Sequence, residues 1–162
     1  MLLDLNLKLL GSLSNFLVKL KDEQYQQKLE LLEGNSIGKH LRHILDFYQV
    51  LLKYKQDTTI NYSSRERDKE IESSTKCALD KIKSIEQSLN QIDLNQTINV
   101  EFCSRGINKT LKSNLERELL FNLDHCTHHM AIIRIAVKHY FPNIEICQNF
   151  GIAESTQTHY KT

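Results

Sequence analysis

Two imidazoles, His125 and His129, stand four residues apart in the run SNLERELLFNLDHCTHHMAIIRIAVKH (113–139). On a helix, side chains at this spacing emerge one above the other on a single face. Imidazole nitrogen suits first-row divalent metals, so a helical pair of this kind is half of a metal site. The local signals say the run is helical. Its apolar period meets no Gly or Pro before Pro142, and Ser113 and Glu116, three apart, have the spacing of a capping box. The competing reading makes both histidines ordinary surface or satisfied core residues. Their surroundings weigh against it. Glu118, Asn122, Ile132 and Ala136 lie within about 60° of His125 on a mostly inward-looking face, and imidazoles among apolar groups need polar partners, which a metal provides.

A second imidazole-rich stretch supplies the missing half. In SIGKHLRHILDFYQVLLKYK (36–55) Ser36 is placed to cap a helix, and Ile37, Leu41, Ile44, Phe47, Tyr48 and Leu51 give the helical period. His40 and His43 sit at the margin of that stripe, and Asp46 follows three residues after His43. Either histidine can face His125 and His129; the residues alone leave both open. Three protein imidazoles with one open position form a catalytic type of site, not a closed structural one.

These two helices need others to hold them. Residues 2–20 carry an apolar stripe wide enough for two neighbours, slightly weakened by Gly11. A short polar stretch, DEQYQQKL, predicts one or two further turns. A third helix runs from Ser74 or Thr75 to about Asn90, with Ala78, Leu79, Ile82, Ile85 and Leu89 on its apolar face. Residues 93–112 read as a long crossover with room for a two-stranded ribbon, because INVEF alternates and Ser104-Arg105-Gly106 is turn-like. The tail after Pro142 has no clear period and predicts an extended segment laid on the helices. The expected fold is all-α: one domain over 1–162, a four-helix bundle with long crossover connections and a short β-ribbon before the last helix. In such bundles metal sites are built from facing helices.

The polar stretch 56–74, QDTTINYSSRERDKEIESS, is too long for a tight turn, and loops of this length in compact domains are functional or disordered. Its charge run has two readings: a solvated face, or a cover over the site with Tyr62 and an Arg pointing inward.

Composition narrows the function classes. With 21 Lys and Arg against 20 Asp and Glu, the formal charge of +1 gives no field to draw nucleic acid or an acidic membrane. Five Gly and one Pro in 162 residues disfavour an all-β fold. No window reaches ~18 uninterrupted apolar residues, so no membrane span is expected. Asp4 and Lys8 break the N-terminal apolar run, which lacks a basic leader and does not read as a signal peptide. Cys77, Cys103, Cys126 and Cys147 are scattered without CxxC spacing, as reduced thiols of a cytoplasmic protein are. Cys126 points about 100° from His125, toward Leu119 and Ile133, and reads as core.

Four segments, SIGKHLRHILDFYQ (36–49), NYSSRERDKEIES (61–73), ERELLFNLDHCTHHMAIIRI (116–135) and NFGIAES (149–155), together resemble the DinB/YfiT-like family of metal-dependent helical bundles. The resemblance implies a metal triad of His43, His125 and His129; an aliphatic residue follows the family's second-helix ligand, a pattern that His40-Leu41 also offers but that His43-Ile44 matches better. It gives His128 no ligand role. It implies a divalent cofactor, zinc or nickel, that activates a low-molecular-weight thiol or a water, and reactions of thiol S-transfer, isomerisation or hydrolysis. The Tyr-x-x-Arg-Glu-Arg-Asp segment is typical of one branch and marks Tyr62 and Arg65 as closing groups.

Glu118 is a candidate general base on the His125 face, against the plainer reading of a first-turn carboxylate favoured by the helix dipole. Asp46, Asn122 and Asp124 are candidates to fix the ring tautomers. The expected partner is a small-molecule thiol or related substrate, with no nucleic acid and no membrane; a homodimer is compatible with the pattern. The alternative function is a non-catalytic metal-binding, small-ligand-binding or dimerising bundle.

Overall fold

The computed structural model describes residues 1–54 and 59–159, which are mostly helical with a small three-stranded sheet. Residues 56–58 of the polar stretch and 160–162 of the tail lie outside this description. In chain order the elements are α1 (Leu2–Leu17), α2 (Asp22–Gln26), a 3₁₀ turn at Glu30–Leu32, α3 (Ile37–Leu52) and β1 (Thr59–Ile60). A second 3₁₀ turn at Tyr62–Ser64 follows, then α4 (Lys69–Ser73), α5 (Thr75–Leu89), β2 (Thr97–Ser104), β3 (Ile107–Asn114), α6 (Leu115–Tyr140) and α7 (Glu154–His159).

Four helices are long, and they pack in a ring of contacts: α1 touches α5 and α6, and α3 touches the same two. Each brings the apolar stripe its period predicts. Leu10, Leu13, Phe16 and Leu17 from α1, Leu41, Ile44, Leu45 and Tyr48 from α3, Ile82 and Leu89 from α5, and Leu119, Cys126, Ile133 and Val137 from α6 meet in one buried cluster. One polar pair is buried with them: the Tyr48 hydroxyl donates to Asn6 Oδ1 at 2.7 Å, so neither group loses its hydrogen bond.

The short elements clamp α3 in place. The Tyr25 hydroxyl of α2 donates to the Ile71 carbonyl of α4 at 2.7 Å. Gly38 of α3 lies so close to α4 that a Cβ there would sit 2.1 Å from the Glu72 carbonyl oxygen, which requires glycine. Ser36 caps α3 as expected, accepting from the Lys39 N–H.

Three expectations change. The ribbon before the last helix is a full hairpin of two eight-residue strands, closed by Arg105-Gly106 with both residues at positive φ, and β1 adds a parallel third strand. Two consecutive left-handed residues make the tight turn whose twist matches the strands. The capping box at Ser113 and Glu116 does not form. Ser113 is still in β3, and Asn114 caps α6 by accepting from the Arg117 N–H at 2.7 Å. The strand outlasts the sequence signal because Leu115 N–H still donates to the Gln96 carbonyl.

The tail does lie along α6, with the Phe150 ring buried 5.1 Å from Phe16 and Arg134 donating to the Gln148 and Phe150 carbonyls. It does not stay extended, since α7 forms at its end without an apolar period to announce it.

Candidate metal centre

Helices α3 and α6 face each other, and their contact brings His43 against both His125 and His129. Each of the three rings offers one nitrogen, and these nitrogens lie within 4.8 Å of one another. The Nε2 atoms of His125 and His129 are 3.2 Å apart. Two nitrogens at zinc-bond lengths in tetrahedral geometry stand about 3.3 Å apart, so the α6 pair already has ligand spacing. His43 meets both rings edge-on, with centroids 4.9 Å from His125 and 4.6 Å from His129.

The rings are held neutral, as ligation requires. Partial burial first, then the neighbouring imidazoles and Arg65, push His43 down to about 3. Burial and the adjacent histidines bring His129 to about 3, and burial, His128 and Arg65 bring His125 to about 4. The donor set is therefore three uncharged imidazoles at neutral pH, which fits a borderline divalent ion such as zinc or nickel.

His40 is not in this triad. Its Nδ1 lies 3.1 Å from His129 Nδ1, behind the ring, so the two α3 histidines left open by the sequence divide the work: His43 faces the centre and His40 backs His129. The expected tautomer-fixing groups do not do this. Asp46 pairs with Arg42 at 3.2 Å, Asn122 donates to the Tyr62 hydroxyl and the Glu118 carbonyl, and Asp124 is exposed. His128 is exposed beside His129, as its missing ligand role implied.

The segment around Tyr62 folds inward and covers one side of the site. The Tyr62 ring stacks on Phe47 at 4.9 Å, and Phe47 stacks on His125 at 3.9 Å, making a continuous aromatic column. Phe121 leans on the same group. Arg65 Nη2 lies 3.0 Å from His43 Nδ1, and its guanidinium sits over the Phe47 ring at 5.3 Å. Burial lowers the Arg65 pKa and raises that of Tyr62.

Glu118 is engaged elsewhere. Its carboxylate accepts from Ser113 Oγ at 2.6 Å and from the Tyr62 hydroxyl at 3.0 Å, about two helical turns from His125. The pair ties the covering segment to the start of α6 and is not hydrogen-bonded to the histidines. One contributor had no clear sequence signal: Phe47, which looked like plain core; His40 was visible as an alternative ligand but not as the partner behind His129.

A model of the DinB superfamily matches residues 9–133, well over half of the chain. The chain belongs to the DinB superfamily. No curated protein and no solved structure matches it. The span matched to the DinB superfamily contains all three clustered histidines together with Tyr62, Arg65 and Glu118, and stops at Ile133, before the tail. Among the described residues no helix is long and apolar enough to cross a membrane.

Proposed function

We propose that this DinB-superfamily protein binds a divalent metal, zinc or nickel, through His43, His125 and His129 in a four-helix-bundle framework, and uses it in a thiol S-transfer or hydrolytic reaction. The observation that carries the reading is the meeting of three neutral imidazoles from two helices within 4.8 Å. A divalent ion in such a site supplies Lewis acidity, which makes a thiol or a water nucleophilic near neutral pH. The chain's own residues supply the surroundings. The column of Phe47, Tyr62 and Phe121 makes one side of the site an aromatic wall. Arg65 brings a cation to the edge of the site, suited to an anionic substrate group such as a carboxylate. Tyr62, locked between Glu118 and Asn122, positions the covering segment.

One observation favours a second reading, a metal-binding protein without turnover. Among the described residues no carboxylate is hydrogen-bonded to the triad, since Asp46 is committed to arginines and Glu118 to Ser113 and Tyr62. Elemental analysis of the purified protein beside His43→Ala, His125→Ala and His129→Ala tests the site. The expected result is about one equivalent of metal in the wild type, lost in each variant. Absence of metal from the wild type, even after reconstitution, ends the proposal. Metal-dependent turnover of glutathione-like thiols separates the catalytic reading from the binding one.

A further inference from the structure

The inference concerns Arg65 and rests on the metal-binding reading above. A guanidinium donates hydrogen bonds and accepts none. With Arg65 Nη2 3.0 Å from His43 Nδ1, that nitrogen must present its lone pair to the arginine, and the ring's proton then sits on Nε2. A ligating imidazole needs a free lone pair on one nitrogen and ordinarily gives its other N–H to an acceptor. Neither condition holds for His43 in this arrangement. One nitrogen is taken by a cation, and the other carries the proton.

His129 is different. Its outer nitrogen faces another imidazole, His40, which can accept a hydrogen bond from His129 Nδ1–H and so leave Nε2 free to ligate.

An alternative partner for Arg65 is already in place. Asp46 is buried at 2 % exposure, and its Oδ1 has no hydrogen-bond partner. Arg65 Nε is likewise without one, and it lies 3.7 Å from Asp46 Oδ2. Arg42, from the other side, holds Oδ2 at 3.2 Å. The carboxylate thus has a free oxygen and a half-formed contact with the guanidinium that now occupies His43. Arg65 Nη1 meanwhile donates to the Tyr62 carbonyl at 2.9 Å, a bond three residues back in its own segment that a guanidinium turning toward Asp46 must shift.

We propose that Arg65 and the metal compete for His43: the guanidinium occupies the ring in the metal-free protein, and metal binding transfers it to Asp46. Arg65 is then a latch that sets the affinity of the site, and Asp46 is the acceptor that receives it. The competition costs affinity in the wild type and makes occupancy of the site and the placement of Arg65 mutually dependent.

Zinc affinity, measured by competition with a chromophoric chelator, tests this in wild type, Arg65→Ala, Asp46→Asn and the double variant. Removing one charge-assisted hydrogen bond predicts zinc binding about tenfold tighter in Arg65→Ala. Asp46→Asn, which weakens the receiving group, is expected to bind more weakly, and to have no such effect once Arg65 is absent. Circular dichroism checks that the variants fold. A measurement on the wild type alone guards against misfolding: the ¹⁵N signal of Arg65 Nε is expected to shift on zinc addition as that group gains Asp46. Equal or weaker zinc binding by Arg65→Ala, or an Arg65 signal unmoved by zinc, overturns the competition while leaving the metal site standing. No zinc binding by either the wild type or Arg65→Ala overturns both.

Discussion

Helix α6 serves two regions that share almost nothing chemically. On one face His125 and His129 meet His43 across α3, among rings, arginines and buried carboxylates. Roughly opposite, Leu120, Leu123 and Thr127 line a groove of about 970 Å³ shared with α1 and the tail. That groove includes none of the three histidines, and most of its exposed wall is apolar, from side chains such as Leu5 and Leu9, with charged residues such as Lys8 and Glu116 among the lining. Size therefore does not mark the chemistry. The smaller, more polar cleft of about 320 Å³ beside Asp46, Asn61 and Arg65 adjoins the metal centre instead. The lesson is that one face of α6 is organised around proton and ligand placement, and the other around packing. The two should respond to different perturbations.

The largest expected effect lies on the packing side. Gly151 holds φ at +69°, and a Cβ there would stand 2.4 Å from the Ala131 nitrogen of α6. Gly151→Ala should cost about 3 kcal/mol, from left-handed strain and forced displacement together, as read by urea unfolding. Zinc affinity should stay within about twofold; a large loss would show that the two faces are coupled and break the comparison.

A pH titration of the metal-free protein sharpens the histidine side. His43, His125 and His129 lie below their unfolded values, at about 3, 4 and 3, so between about pH 6.5 and 4 the unfolded chain binds more protons than the folded one. Stability then falls as pH falls through that window. Asp46, raised to about 6 chiefly by burial, works in the opposite direction between its unfolded value and 6, but it is one group against three. Thermal unfolding in chelator should therefore show a midpoint that drops from pH 6.5 to 4. A flat profile would mean that the rings are not held neutral by the fold.

The smallest effect belongs to the cover. Tyr62→Phe removes the hydroxyl that donates to Glu118 and accepts from Asn122. It should cost about 1 kcal/mol of stability, with zinc affinity nearly unchanged. A tenfold loss of affinity would place Tyr62 closer to the chemistry than its hydrogen bonds do.

The sequence made the histidine face legible because its signals are short-range. A spacing of four on an unbroken helix puts His125 beside His129 whatever the rest of the chain does, and the stripes of α1, α3 and α5 follow from period alone. The ribbon was legible from INVEF and the turn after it. What stayed hidden depends on contacts between distant residues. Arg65 reaches His43 across 22 positions, and no pattern within either segment specifies that meeting. The same holds for His40 behind His129, 89 positions away. The choice of Asn114 over Ser113 as cap was lost because the strand pairing of β3 with β2 carries on to the last residue before α6. Asp46 was read as a partner for imidazole because it follows His43 by three, yet two arginines claim it first.

That junction has a consequence for how this chain can change length over time. Strand β3 ends at Asn114 and α6 begins at Leu115, with no residue between them. An insertion at this point would turn everything beyond it by about 100° relative to the hairpin, swinging Ser113 out of reach of Glu118 and, with it, loosening the hold on Tyr62. The hairpin tip at Arg105-Gly106 is exposed and carries no such obligation. Length variation should therefore collect at the tip and be absent from the seam, where a single added codon would undo an alignment that substitutions alone leave intact.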